Sequence, residues 1–269
     1  MAIPVHILVT CRKEELLKAA TMVFETLRVG FPTAPVKVLI NCAPNKASLD
    51  AIVEATVKAQ VQDCEISSAG DEVIHPVTIH HEWIQGLLER ETEPFFILDT
   101  DVCFWDNFEQ WDFSKSFMAG KWIPAFEDDF TKCVTQTRLH PSLLYLNPQR
   151  IKEEVAKYFV PFPDTPFNPR PNLIFPAWFP VVNSKPVFFD TMSLLYQAIG
   201  GSMFNTQQIQ CYDHLNFATI SDIVAPHYPN ERFREQHFAI FENPALLRGA
   251  WREQDQFYRV RRPHYATRF

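Results

Sequence analysis

Glycine is scarce in this chain, with seven in 269 residues, and the first apolar run, Val5 to Thr10, is followed by Cys11-Arg12-Lys13-Glu14-Glu15 rather than by glycines. A backbone nest for a triphosphate is therefore missing at the place where nucleotide-handling α/β proteins often carry one. Basic charge is also short. A formal net charge of −7 argues against a general nucleic-acid binder, which needs a surplus of Lys and Arg on its binding face. The cysteines Cys11, Cys42, Cys64, Cys103, Cys133 and Cys211 form no CxxC pair, so zinc-ribbon and dithiol redox chemistry are excluded and the thiols read as reduced, mostly buried small residues. No apolar stretch reaches the roughly 18 residues that a membrane span needs. The opening MAIPVHILVTCRKEE has no basic leader and reads as a strand rather than a signal peptide, which predicts a soluble, cytoplasmic protein.

What is present is apolar and aromatic. The chain is 46% hydrophobic with 24 phenylalanines, enough for a large packed core. Val5 to Thr10 and Val36 to Cys42 are short β-branched runs. Each is followed by helical spacing, Leu16, Leu17, Ala20, Val23, Phe24 and Leu27 within Glu14 to Arg28, and Leu49, Ile52, Val53 and Val57 within Ala47 to Gln60. A third helix is expected over His80 to Glu91, ended by Pro94 before the buried strand Phe95 to Leu98. Strands alternating with helices predict a mainly parallel sheet with ligands at the strands' carboxyl ends. Further on, Ser142 to Asn147 reads as a strand and Ile151 to Phe159 as a helix. The prolines from Pro161 to Pro180 then rule out regular helix or central strand. Phe188 to Ile199 and Tyr212 to Ile220 return to helical spacing, and His237 to Phe241 looks extended.

Asp99-Thr100-Asp101 leaves the strand Phe95 to Leu98 directly. Two carboxylates at i and i+2 on such a turn suit a hard divalent cation and the hydroxyls of a ligand, although aspartates on loops also serve simply as turn formers. In this setting, FFILDTDVCFW resembles the DxD segment of the GT-A glycosyltransferases. The resemblance implies a GT-A, Rossmann-like α/β fold, a mainly parallel sheet flanked by helices with a proline-rich insertion on the acceptor side. It implies a single domain over 1–269, with 1–110 as the nucleotide-binding half and 111–269 as the acceptor-binding half. The implied activity is glycosyl transfer from a nucleotide-sugar donor, a UDP-sugar first, to an acceptor that is a glycan, a protein or a nucleic acid. The implied cofactor is Mn²⁺ or Mg²⁺, held by Asp99 and Asp101.

Two further segments are similar to the glycogenin and bacterial galactosyltransferase family. Tyr212-Asp213-His214-Leu215-Asn216 looks like the end of its DQDxLN segment, with Cys211 and Tyr212 as departures, and His237 resembles its late metal-binding histidine. This makes Asp213 the expected catalytic residue, at the start of a helix, and His237 the expected third metal ligand. Thr10 and Arg12, after the first strand, are expected to contact the donor nucleotide. His80 and His81 begin the helix leading to the DxD strand and read first as helix-start surface residues. The arginines from Arg248 to Arg268 make a basic end, either a solvated tail or a contact for polyanions. Haloacid-dehalogenase phosphatases carry a DxD nearer the start of the domain, and sugar nucleotidyltransferases carry the glycine-rich loop that is missing here. A non-catalytic nucleotide-binding protein of the same fold and a DxD phosphohydrolase are the remaining alternatives.

Overall fold

The computed structural model describes residues 2–11, 14, 17–42, 47–68, 76–127, 133–158, 172–182 and 185–214, with the backbone alone at 18–19, 47–48, 76–79, 178–182 and 213. Its first part is a regular alternation: β1 (Val5–Val9), α1 (Leu17–Thr21), α2 (Val23–Gly30), β2 (Val36–Ile40), α3 (Ala47–Gln60), β3 (Cys64–Ser68), α4 (Pro76–Arg90) and β4 (Phe95–Leu98). The second part is less regular: β5 (Val102–Phe104), β6 (Met118–Ile123), β7 (Phe126–Glu127), β8 (Val134–Thr135), β9 (Arg138–Leu146), α5 (Pro148–Tyr158), β10 (Ala177–Val182) and β11 (Lys185–Phe189). It closes with α6 (Ser193–Ile199), β12 (Ser202–Met203), α7 (Thr206–Gln210) and β13 (Tyr212–His214).

Seven strands form the central sheet in the order β12-β6-β9-β4-β1-β2-β3. The pairs β2–β3, β1–β2, β1–β4 and β6–β12 are parallel, and β9 alone runs antiparallel, between β4 and β6. The expected mainly parallel sheet flanked by helices is thus present. It draws strands from both parts of the chain. Because side chains alternate across a strand, each face gathers its own core. Val5, Ile7 and Val9 meet Val23, Phe24 and Leu27 of α2 and Val53 and Val57 of α3 on one face. On the other, Leu8, Phe95 and Ile97 meet Ile84, Leu87 and Leu88 of α4 and Leu195 of α6. Each such side chain, fully buried, contributes roughly 1.5–3 kcal/mol.

The strand order reverses direction between β1 and β4. Chain growth moves outward from β1 through β2 to β3 and then returns to the other side of β1, which opens a crevice at the carboxyl ends of β1 and β4. Asp99 follows β4 at that crevice.

Three sequence expectations change. The helix expected over Glu14 to Arg28 is broken at Met22, because the N–H of Val23 donates to the carbonyl of Thr100 at 3.0 Å instead of to the preceding turn. Phe188 and Phe189 complete a strand, and the helix begins only at Ser193. Tyr212 to His214 form a strand instead of the start of a helix, since their backbone pairs antiparallel with β5. Residues 215–220 and 237–241 lie outside the described residues. Pro180 falls in β10, the edge of the four-stranded sheet β10-β11-β8-β7, where the register also shifts between Phe179 and Val182, as a residue without an N–H requires.

Candidate active site

The Asp99-Thr100-Asp101 turn is held from three sides. The N–H of Asp99 donates to Ser142 O at 2.8 Å, prolonging the β4–β9 ladder by one step. Thr100 O accepts from Val23 at the start of α2. Asp101 leads straight into β5, and the N–H of Phe104 donates to Thr26 Oγ1 of α2 at 2.9 Å. Beneath β5 lies a cluster of aromatic rings. Phe31, Phe104 and Phe108 stack edge-on or tilted at 5.3–6.2 Å between centroids, with Phe113, Phe204 and Tyr212 completing it. A turn pinned by backbone bonds over a packed aromatic floor keeps its carboxylates in place without a ligand.

Antiparallel pairing of β13 with β5 sets His214 opposite Val102, next to Asp101. Its Nε2 lies 3.2 Å from Asp101 Oδ1, and both residues are buried. Even so, Asp101 Oδ1 accepts no hydrogen bond among the described residues, which is an expensive state for a buried carboxylate oxygen. His80, from the first half of α4, approaches Asp99 Oδ1 at 3.4 Å. Burial opposes the charged form of both partners. For His80 the Asp99 carboxylate outweighs burial, aided by Asp190 and Asp101, and its pKa rises; for Asp99 the neighbouring His80 and His214 outweigh it, and its pKa falls.

Strand β9 carries a second set of polar groups. Its register against β6 shifts between Gly120 and Trp122, which leaves the stretch around His140-Pro141-Ser142 out of step with its neighbour. Such an irregularity re-aims side chains. The His140 ring stands 4.7 Å from the His214 ring, and its Nδ1 lies 2.9 Å from Ser142 Oγ. Burial, then the neighbours His214, Arg138, Lys121 and His80, hold the His140 pKa well below the usual imidazole range. At the start of β9, Arg138 Nη2 pairs with Asp190 Oδ2 at 2.9 Å.

Of the residues expected from the sequence, Asp99 and Asp101 are brought together and face His214. Thr10 directly follows β1 at its carboxyl end. Arg12 and His237 lie outside the described residues, and Asp213 is described by its backbone only, on β13 opposite Cys103. His80 is not a bystander at a helix start but a neighbour of Asp99, whereas His81 packs against Phe175 with ring centroids 4.0 Å apart. His214, His140, Arg138 and Asp190 were not singled out by sequence. For His214 the only signal was an imidazole inside the segment that drew attention to Asp213.

Among the described residues, Asp99, Asp101 and His214 form a group that offers one ligand atom each, all within 4.8 Å of one another. An octahedral cation with ligands at about 2.0–2.1 Å places opposite ligands about 4 Å apart, so the group fits with a small inward movement. The orphaned Asp101 oxygen is the atom such a cation would satisfy. Two carboxylates with one imidazole suit Mn²⁺ better than Mg²⁺, which prefers oxygen and water. No helix among the described residues is long and apolar enough to cross a membrane.

No family model matches the chain, and no curated protein matches it. Among solved structures it is similar to the galactosyltransferase LgtC in complex with donor and acceptor sugar analogues, at 11% identity and a TM-score of 0.37 over 55% of this chain and 59% of that one. It is also similar to the mannosyltransferase PcManGT from Pyrobaculum calidifontis in complex with GDP-Man and Mn²⁺, at 10% identity and 0.36 over 57% and 47%. A third is the nucleoside-diphosphate-sugar pyrophosphorylase from Vibrio cholerae RC9, at 10% identity and 0.40 over 78% and 94%. The chain thus spans about half the length of the two transferases. Likeness this loose transfers no residue roles, and the chemistry of the site follows from its own side chains.

Proposed function

We propose that this chain transfers a glycosyl group from a nucleotide-sugar donor to an acceptor and depends on a divalent cation, Mn²⁺ before Mg²⁺. The observation that carries the reading is the meeting of Asp99, Asp101 and His214 at the carboxyl end of β4, beside the β1–β4 crevice. A cation held by these three residues would neutralise the donor diphosphate, both on binding and as it leaves. In this reading Asp101, fixed by β5 and β13, is the main carboxylate ligand. Asp99 is shared between cation and donor, with His80 orienting its carboxylate. Thr10, at the end of β1, lines the nucleotide side, and Asp213 is the base proposed for the acceptor hydroxyl. The first 110 residues supply the nucleotide half and the remainder the acceptor half. A UDP-sugar is the donor to test first. The absence of a glycine-rich loop after β1 speaks against nucleotidyl transfer.

The test is donor turnover with Mn²⁺ across UDP- and GDP-sugars, followed by sugar release to water or to added acceptors. Asp101→Asn keeps the shape and removes the charge, so metal-dependent donor binding should fall by about tenfold or more while the thermal transition persists. Unchanged metal-dependent affinity in that variant would sink the assignment. Nucleotide-sugar binding with no turnover would favour a non-catalytic relative of the fold, and phosphate release from monoesters would favour a phosphohydrolase.

A further inference from the structure

Arg138 and Asp190 sit beside the proposed metal site but take no part in it. Arg138 is only 8% exposed, and its Nε and Nη1 have no hydrogen-bond partner among the described residues. A buried guanidinium with unmet donors is a costly feature that stability does not explain. Among the described residues it pairs with Asp190, whose side chain is about one-third exposed (34%). Both oxygens of that carboxylate are fixed, Oδ2 by Arg138 at 2.9 Å and Oδ1 by the N–H of Thr191 at 2.7 Å. A carboxylate oxygen has two lone pairs, so each still has capacity to accept.

The backbone around the pair is built to hold it. Met192, two residues past Asp190, is fully buried in a left-handed conformation at φ 67°, which is rare for a non-glycine residue. Its N–H donates to Ile174 O, and the N–H of Ser193 donates to Asp190 O. On the other side, the carbonyl of Thr137, next to Arg138, accepts from Ser193 Oγ at 3.2 Å and Gln197 Nε2 at 2.8 Å. The segment 172–176 ties this corner to α4, through Asn172 to Gln85 at 2.7 Å and Phe175 against His81. Two residues along β9 from Arg138, the His140 ring stands 4.7 Å from that of His214, which sets the pair beside the proposed metal site.

We propose that Asp190 is the carboxylate that receives hydroxyls of the donor's sugar ring, and that Arg138 is its positioning residue. The proposal rests on the glycosyl-transfer reading of the neighbouring metal site. A sugar presents vicinal O–H donors, and an oriented carboxylate with spare lone pairs and partial exposure is their natural acceptor. Orientation before binding is what makes such a contact selective.

The experiment is calorimetry with Mn²⁺, using UDP alone and then UDP-glucose, UDP-galactose, UDP-N-acetylglucosamine and GDP-mannose as probes. Asp190→Asn leaves the buried Arg138 without a counter-charge and risks the fold, so Asp190→Glu is the main variant. It keeps the ion pair but moves the oxygens by about one carbon–carbon bond. For the nucleotide sugar that binds best, Asp190→Glu should weaken binding about tenfold or more while UDP affinity stays within about twofold. Arg138→Gln should reproduce that split, and Arg138→Lys should restore part of it. Equal affinities in wild type and Asp190→Glu, or equal weakening of UDP and sugar nucleotide, overturns the assignment of Asp190 and leaves the transferase reading intact. Failure of wild type to bind any of the nucleotides with Mn²⁺ overturns both.

Discussion

Asp101 and His214 meet far apart in the chain, and their meeting depends on a two-stranded ribbon. His214 Nε2 lies 3.2 Å from Asp101 Oδ1, which accepts no hydrogen bond among the described residues, and a third atom bound by both would satisfy that oxygen. If that atom is a metal ion, His214→Gln should lower Mn²⁺ affinity, read by electron paramagnetic resonance of the free ion, by about tenfold or more. The thermal transition of the metal-free protein should move little, because the glutamine amide can still face Asp101. Equal Mn²⁺ affinity would remove His214 from the ligand set.

The site depends on the fit between α2 and β5. Gly30 closes α2, and a Cβ there would land on the ring of Phe104, so the close approach of helix to strand requires glycine. Thr26 and Val23 of the same helix bond to the backbone at Phe104 and Thr100. Gly30→Ala should therefore force β5 away from α2 and destabilise the fold by about 1–3 kcal/mol, measured by urea unfolding. It should also weaken Mn²⁺ binding although Gly30 touches no proposed ligand, because Asp101 leads directly into β5. A stability loss with Mn²⁺ affinity unchanged would show that the turn is held without this contact. The capping box at α7, in which Asn205 Oδ1 accepts from the Gln208 N–H at 2.9 Å and Gln208 Oε1 from the Asn205 N–H at 2.8 Å, plays the matching role for β13.

Across the whole molecule, stability should fall in acid through histidines that fold in their neutral form. His6 of β1 lies against Phe95, with Glu91 at 3.9 Å, and burial holds its pKa down to about 4, with Lys37 and Arg90 adding to the effect and Glu91 opposing it. In the unfolded chain an imidazole titrates near 6.5 and so binds the proton first. Stability is therefore complete above about pH 6.5 and declines as pH falls toward about 4, by up to about 3 kcal/mol from this residue. His140, also depressed, contributes in the same direction. Urea unfolding between pH 7 and 4.5 should show the decline, and His6→Gln should flatten part of it. A variant as steep as the parent would assign the loss elsewhere.

Much of this molecule was readable from residue order alone. β1, β2, β4, α3, α4 and α5 fall close to the periodic runs that announced them, because burial on one or both faces imposes a period that a single chain records. Asp99 and Asp101, the aspartates proposed to hold the cation, were readable for the same reason, as they end such a run. β3 was not, since its residues are largely exposed and polar at the sheet edge. Nor was the break at Met22, which exists because the Val23 N–H finds the Thr100 carbonyl. Local pattern therefore determined the parallel half of the sheet and the place of Asp99 and Asp101. Tertiary structure decided which histidine joins them and which arginine steadies Asp190. Pairing between β5 and β13, and between β11 and β8, is set by edges that need partners, and a side chain's own neighbours in sequence carry no record of that need.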